Sequence, residues 1–216
     1  MVTRNVNSLS LHEVNTYLRS TANGAPLEVN HADQLHGLAA GMKHGEIIIN
    51  GDAGDYLGVL NAGATIRVTR DTGNYLADNM TNGTVIVDGN AGFGAAQYCY
   101  GGTVVIRGNA GDFTGTMNKG AVILINGDVG DDVGTYMLKG DLIVIGNAGD
   151  HFANYLIRGT IFLGGECRSL GHNTKLAPLN EDDLARLQGY FEKYGIQADP
   201  AKFKKFIAAS EKPFYH

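Results

Sequence analysis

Tryptophan is absent from this 216-residue chain, proline occurs 4 times and cysteine 2 times. The two cysteines, Cys99 and Cys167, lie far apart and outside any CxxC pair, so they offer neither a disulfide framework nor an iron–sulfur site. No stretch approaches the roughly 18 apolar residues of a membrane span. The start MVTRNVNSLSL lacks the apolar core of a secretion signal. Basic residues form no run and the formal net charge is −5, which argues against a nucleic-acid surface. The expectation is a soluble cytoplasmic protein with no nucleic-acid or membrane partner.

Glycine, by contrast, is abundant: 31 of 216 residues, against a usual share of about 7%. Collagen would need a three-residue period and more proline, and a flexible linker would lack the 44% hydrophobic content. The glycine excess therefore belongs to ordered structure and predicts many tight turns.

The glycines repeat. Gly54, Gly73, Gly92, Gly111, Gly130 and Gly149 are spaced by 19 residues, and Gly51, Arg70, Gly89, Gly108, Gly127 and Gly146 precede them by three. Between the two sets runs an Asx column: Asp52, Asp71, Asn90, Asn109, Asp128 and Asn147. The repeated word is G-[ND]-x-G. Just before each copy stands a short β-branched run, from Ile47-Ile48-Ile49 through Val85-Ile86-Val87 to Ile161-Phe162-Leu163. Such runs read as strands. A 19-residue period is too short for a strand–helix crossover unit. The pattern predicts an all-β solenoid, a single-stranded parallel β-helix of about seven coils over 45–167. At about 4.8 Å per coil the stack is on the order of 30 Å long.

The columns carry physical expectations. Ile47/Ile49 and their equivalents share a face and form the interior ladder. Gly58, Ala77, Ala96, Gly115, Gly134 and Ala153 mark a tight inward corner, and the column from Leu60 through Tyr98 and Tyr136 to Tyr155 stacks on a second face. The Asx side chains should bond local backbone amides in the turn. Asp112, Asp131 and Asp150 share another column, a solvated stripe with a weak cation site as the alternative. The outward strand positions read Ile48, Arg67, Ile86, Val105, Leu124, Ile143 and Phe162. Six of these seven are apolar, so the stripe needs a cover, supplied by the chain's own ends or by a partner; it also offers a surface for pairing two copies. Arg67 and Arg70 together offer an anionic contact or a surface accommodation.

A solenoid needs its ends capped. Residues 1–44 supply one cap, with a capping box at Ser10–Glu13 ahead of Leu11, Val14 and Leu18. Residues 168–216 supply the other. There Asn180 caps a helix carrying Leu184, Leu187, Phe191 and Tyr194 and ended by Gly195, and Asp199-Pro200 opens a second helix with Phe203, Phe206 and Ile207.

No motif carries chemistry. The seven histidines fall in no metal spacing. Cys99, in the column of Asn61, Met80, Asn118, Met137 and Leu156, reads as packing rather than as a nucleophile, and Cys167 matches Ala53 and Ala148. No residue is assigned a catalytic, cofactor-binding or metal-ligating role.

EIIINGDAGDYLG, GTVIVDGNAGFGA, GTVVIRGNAGDFTG and DLIVIGNAGDHFA resemble the GXGXG domain family. That family includes the C-terminal domain of the glutamate synthase large subunit and one of the chains of formylmethanofuran dehydrogenase. The resemblance covers about residues 40–170. The ends, SLSLHEVNTYLRS and the segment closing in KPFYH, are similar to separately encoded members in split glutamate synthases and N-methylglutamate synthase. The resemblance implies a right-handed β-helix and a scaffold role in glutamate biosynthesis beside glutaminase-like and FMN synthase-like subunits. FMN and the iron–sulfur cluster are expected on a partner, not on this chain, which begins Met1-Val2 without the glutaminase's N-terminal cysteine. A formylmethanofuran-type dehydrogenase or formyltransferase complex is the alternative setting. A free-standing ligand-binding or homo-oligomeric β-helix is the other.

Overall fold

The computed structural model describes residues 2–6, 8–21 and 24–210. Each β-branched run forms a strand, and consecutive strands pair in parallel. The series is β1 (Val2–Asn5), β2 (Leu27–Ala32), β3 (Glu46–Ala53), β4 (Ala62–Val68), β5 (Asn82–Val87), β6 (Thr103–Ile106), β7 (Lys119–Ile125), β8 (Lys139–Val144) and β9 (Thr160–Leu163). From β3 onward the partners follow the repeat. Ile47 lies beside Ile66, Ile66 beside Val85, and so on to Leu142 beside Ile161. A one-residue slip would turn the apolar face outward, so burial enforces this register. The fold is a parallel β-helix of about seven turns with two α-helices among the described residues.

All fourteen inward strand side chains, Ile47 and Ile49 through Ile161 and Leu163, have 0% exposure. At roughly 1.5–3 kcal/mol each they supply some tens of kcal/mol before entropy. The small column is the expected corner. Ala77, Ala96 and Ala153 are fully buried and left-handed, with φ of 54°, 55° and 60°.

The turn glycines have a different cause from the one the sequence implied. Those at 54, 73, 92, 111, 130 and 149 do not adopt positive φ. They are small because the coil beneath approaches closely. A Cβ on Gly130 would lie 2.0 Å from Asp112 Oδ1 and 2.7 Å from the Asp112 backbone nitrogen.

The sheet extends beyond residue 45 toward the N-terminus. β1 and β2 continue it, and the helix α1 (Leu11–Thr21) crosses between them. The capping box of α1 is present: the Ser10 amide donates to Glu13 Oε2 at 2.8 Å, and the Glu13 amide to Ser10 Oγ at 3.3 Å.

At the other end come β10 (Thr174–Ala177) and the helix α2 (Glu181–Tyr194). α2 has Asn180 as N-cap and Gly195 as a left-handed C-cap. The expected helix after Asp199-Pro200 is corrected to a single 3-10 turn (Pro200–Lys202) followed by a strand, β11 (Lys204–Ala208). β11 runs antiparallel between β9 and β10. The unpaired edge of β9 needs a partner, and residues 203–206 alternate, Phe203 joining the outer cluster and Phe206 the inner core. Period two and an open edge outweigh the helix-start signal. The closing KPFYH segment lies outside the described residues.

Candidate functional site

The polar columns have a specific job. Asp52 Oδ1 accepts the amide of Asp71 (3.0 Å), Asp71 that of Asn90 (2.7 Å), Asn90 that of Asn109 (2.8 Å), and the series runs on to Asn147 and Glu166. The bonds are therefore not local, as the turn word implied. Each side chain reaches one coil onward. The neighbouring column repeats the pattern: Asp55 holds Asn74, Asn74 holds Phe93, Asp112 holds Asp131 and Asp131 holds Asp150. In the acidic trio Asp112, Asp131 and Asp150, Arg168 pairs with the last two. The Asp150 amide and the Arg168 guanidinium hold the Asp131 carboxyl below its ordinary range.

Arg67 and Arg70 part company. Arg67 grips Asp88 through Nε (3.0 Å) and Nη2 (2.8 Å), and Arg107 takes the other oxygen of Asp88 while donating to the Tyr194 carbonyl. Arg70 lies 3.6 Å from Asp52 at the exposed surface.

The outer stripe has its own cover along half its length. Val105, Leu124, Ile143 and Phe162 are sealed under Leu187, Phe191, Tyr194, Ile196 and Phe203. Ile86 packs half-buried at the margin of this cluster, and Ile48 is half-buried. An ionic clamp around two buried carboxylates seats α2. Arg186 bridges Asp141 on β8 (3.3 Å) and Asp183 (2.8 Å), Lys205 on β11 donates to Asp183 (2.6 Å), and Tyr190 donates to Asp141 (3.1 Å). Burial raises the Asp141 carboxyl. At Asp183 burial acts the same way, but hydrogen bonds from Lys205 and the Asn180 amide outweigh it and lower the carboxyl. Burial and the Asp141 charge push the Tyr190 phenol up to about 12. No sequence pattern announces this clamp, because its members come from β8, α2 and β11.

Cys99 is fully buried, donates to the Ala77 carbonyl, and burial pushes its thiol up to about 12. Cys167 bridges to Ala148 in the turn ladder and is half-buried. His36 Nδ1 accepts the Asp55 amide at 3.0 Å and lies 3.5 Å from Asp55 Oδ2. Among the described residues, no three His, Cys, Asp or Glu side chains gather as a metal-holding group. No described helix is long and apolar enough to cross a membrane.

Aromatic rings form two ladders. The expected one holds in part: Tyr136 and Tyr155 stack at 5.4 Å, and Lys119 lies over Tyr98 and Tyr100. The other was missed. Tyr56 and Tyr75 stack at 4.7 Å, Tyr75 meets Phe93 at 5.6 Å, and Phe93 meets Phe113 at 5.2 Å. Its signal was present, since Tyr56, Tyr75 and Phe113 fall on one 19-residue column. Gly94 interrupts that column and Phe93 fills the gap from the next one.

No family model matches the chain, and no curated protein matches it.

Proposed function

We propose that this chain is a non-catalytic scaffold subunit of a glutamate-synthase-type amidotransferase and oxidoreductase complex. One observation carries the reading: the turn Asx oxygens, two of the arginines and Cys99 are spent on the solenoid itself. Both Asx columns hold the amides of the following coil, Arg67 and Arg168 are tied to carboxylates, and Cys99 is sealed in the core. What the molecule presents outward is a long, rigid, repetitive surface, the property a scaffold needs. The resemblance of the repeats to GXGXG domains supplies the setting. Its partners are glutaminase-like and FMN synthase-like chains that move an amino group from glutamine to an acceptor. FMN and the iron–sulfur cluster belong to the partners; the residues here do not fit a cluster, since the two cysteines lie in different coils and one of them is fully buried.

The test is purification of the tagged chain from its own host under gentle conditions. A co-purifying yellow flavoprotein is expected. A lone colourless protein overturns the assignment, and a partner of one-carbon formyl chemistry moves it to the formylmethanofuran type.

A further inference from the structure

We infer that the edge bearing Tyr56, Tyr75, Phe93 and Phe113 is a docking surface for an arginine-bearing basic segment of a partner protein. The inference deepens the scaffold reading and rests on it.

The rings are there against the fold's own preferences. Tyr56, Tyr75 and Phe113 adopt left-handed backbone, φ 57°, 58° and 58°, a conformation that bulky residues rarely take. Glycine or asparagine would suit the slot better. Phe93 stands in an Asx column whose other members hold the next coil's amide, so it forfeits the acceptor that Asn74 offers above it and Asp112 below. Yet Phe93 is the residue that keeps the stack continuous past Gly94. Tyr56 and Phe93 remain 42% and 38% exposed, so the rings do not serve the core. Both choices give up local stability and gain an unbroken outward ring surface.

The charges beside the rings are mostly acidic, although Arg70 lies among them, 3.6 Å from Asp52. Asp55 and Asp112 immediately precede Tyr56 and Phe113. Each commits Oδ1 to the next coil's amide; Asp55 Oδ2 lies 3.5 Å from His36 Nδ1. His36 Nδ1 also accepts the Asp55 amide at 3.0 Å. Among the described residues, no ion pair joins Asp71 or Asp112, both exposed. A ring row flanked by the Asp55 and Asp112 carboxylates complements guanidinium groups, which stack on rings and pair with carboxylates together. The rings would prefer arginine to lysine for the same reason.

The test uses two variants built to fold. Tyr56→Asn/Phe93→Asn removes two rings, suits the left-handed slot and restores an acceptor at 93. Asp55→Asn/Asp71→Asn/Asp112→Asn removes three charges and keeps every ladder oxygen. Anisotropy of a fluorescein-labelled glycine–serine peptide carrying four arginines, and of its four-lysine counterpart, is measured on the full chain. Saturable binding of the arginine peptide is expected, at least tenfold weaker for either variant and several-fold weaker for the lysine peptide. Equal binding by wild type and variants, or none, overturns the inference. So does a wild-type dimer that the ring variant abolishes, which would seat a second copy there. The scaffold reading fails separately. If wild type and ring variant bring down partners equally, the docking edge is wrong and the scaffold stands. If the wild type isolates alone while peptide binding shows the expected losses, the edge stands and the scaffold does not.

Discussion

At the level of single residues, glycine and asparagine set the dimensions of the coil. The turn glycines allow one backbone to rest on the next while an Asx side chain passes between them. Gly130→Ala would drive a Cβ to 2.0 Å from Asp112 Oδ1 and 2.7 Å from a backbone nitrogen. Backbone cannot yield as a flexible side chain can, so a loss of about 2–3 kcal/mol is expected in urea denaturation. The cysteines differ as sharply. Cys99 is buried with its thiol pushed up to about 12, whereas Cys167 is half-buried. A thiol reagent should label Cys167 alone in the native chain and both after unfolding. Equal native rates would contradict the packing around Cys99.

At the level of the element, one rule links two columns. Where the buried column holds Asn61 or Asn118, the position three residues on is Ala64 or Ala121. Where it holds Met80, Cys99, Met137 or Leu156, that position is glycine. The asparagines explain this. Asn118 Nδ2 donates to the Ala121 carbonyl and its Oδ1 accepts the Ala121 amide, both at 2.9 Å, and Asn61 does the same for Ala64. In the other coils that position is a left-handed glycine, such as Gly102 at φ 83°. Asn118→Leu should therefore cost about 1–3 kcal/mol for each orphaned group. Adding Ala121→Gly should recover part of it, as a double-mutant cycle would show.

The clamp on α2 makes a prediction of two signs. Asp183 has its carboxyl held below the ordinary 3.8. Its contribution is full above 3.8 and is lost as the pH falls through the lower folded value. Asp141 is raised above 3.8 by burial, so the folded state takes its proton first, and stability grows as the pH falls from neutral toward 3.8. Urea midpoints should thus rise on mild acidification and drop below about pH 4. Asp141→Asn should remove the rise, and Lys205→Met, by bringing the Asp183 carboxyl back toward its ordinary value, should shrink the drop. Midpoints unaffected by either change would show that the clamp does not couple to folding.

Over the whole molecule, α2 and β11 decide how much of the outer stripe is free. Ending the chain after Ala177 would expose Val105, Leu124, Ile143 and Phe162, each worth roughly 1.5–3 kcal/mol of burial, on a sheet whose β9 edge is also open. Self-association of the shortened chain is expected by light scattering. A mass unchanged from the full chain's oligomeric state would show that the cover is dispensable.

The sequence by itself determined the coil. Its period, its inward ladder, its corner and the capped helices α1 and α2 were legible because each is a one-dimensional pattern repeated or locally signalled. The ring ladder through Phe93 was half legible, since three members keep the period and the fourth steps out of it. Only the tertiary structure decided that Asx oxygens reach across coils, that the segment after Pro200 becomes a strand, and that Asp141, Asp183, Arg186 and Lys205 meet. Those outcomes depend on distances between segments far apart in the chain. Burial and an unpaired strand edge, rather than local propensity, set the free energy there.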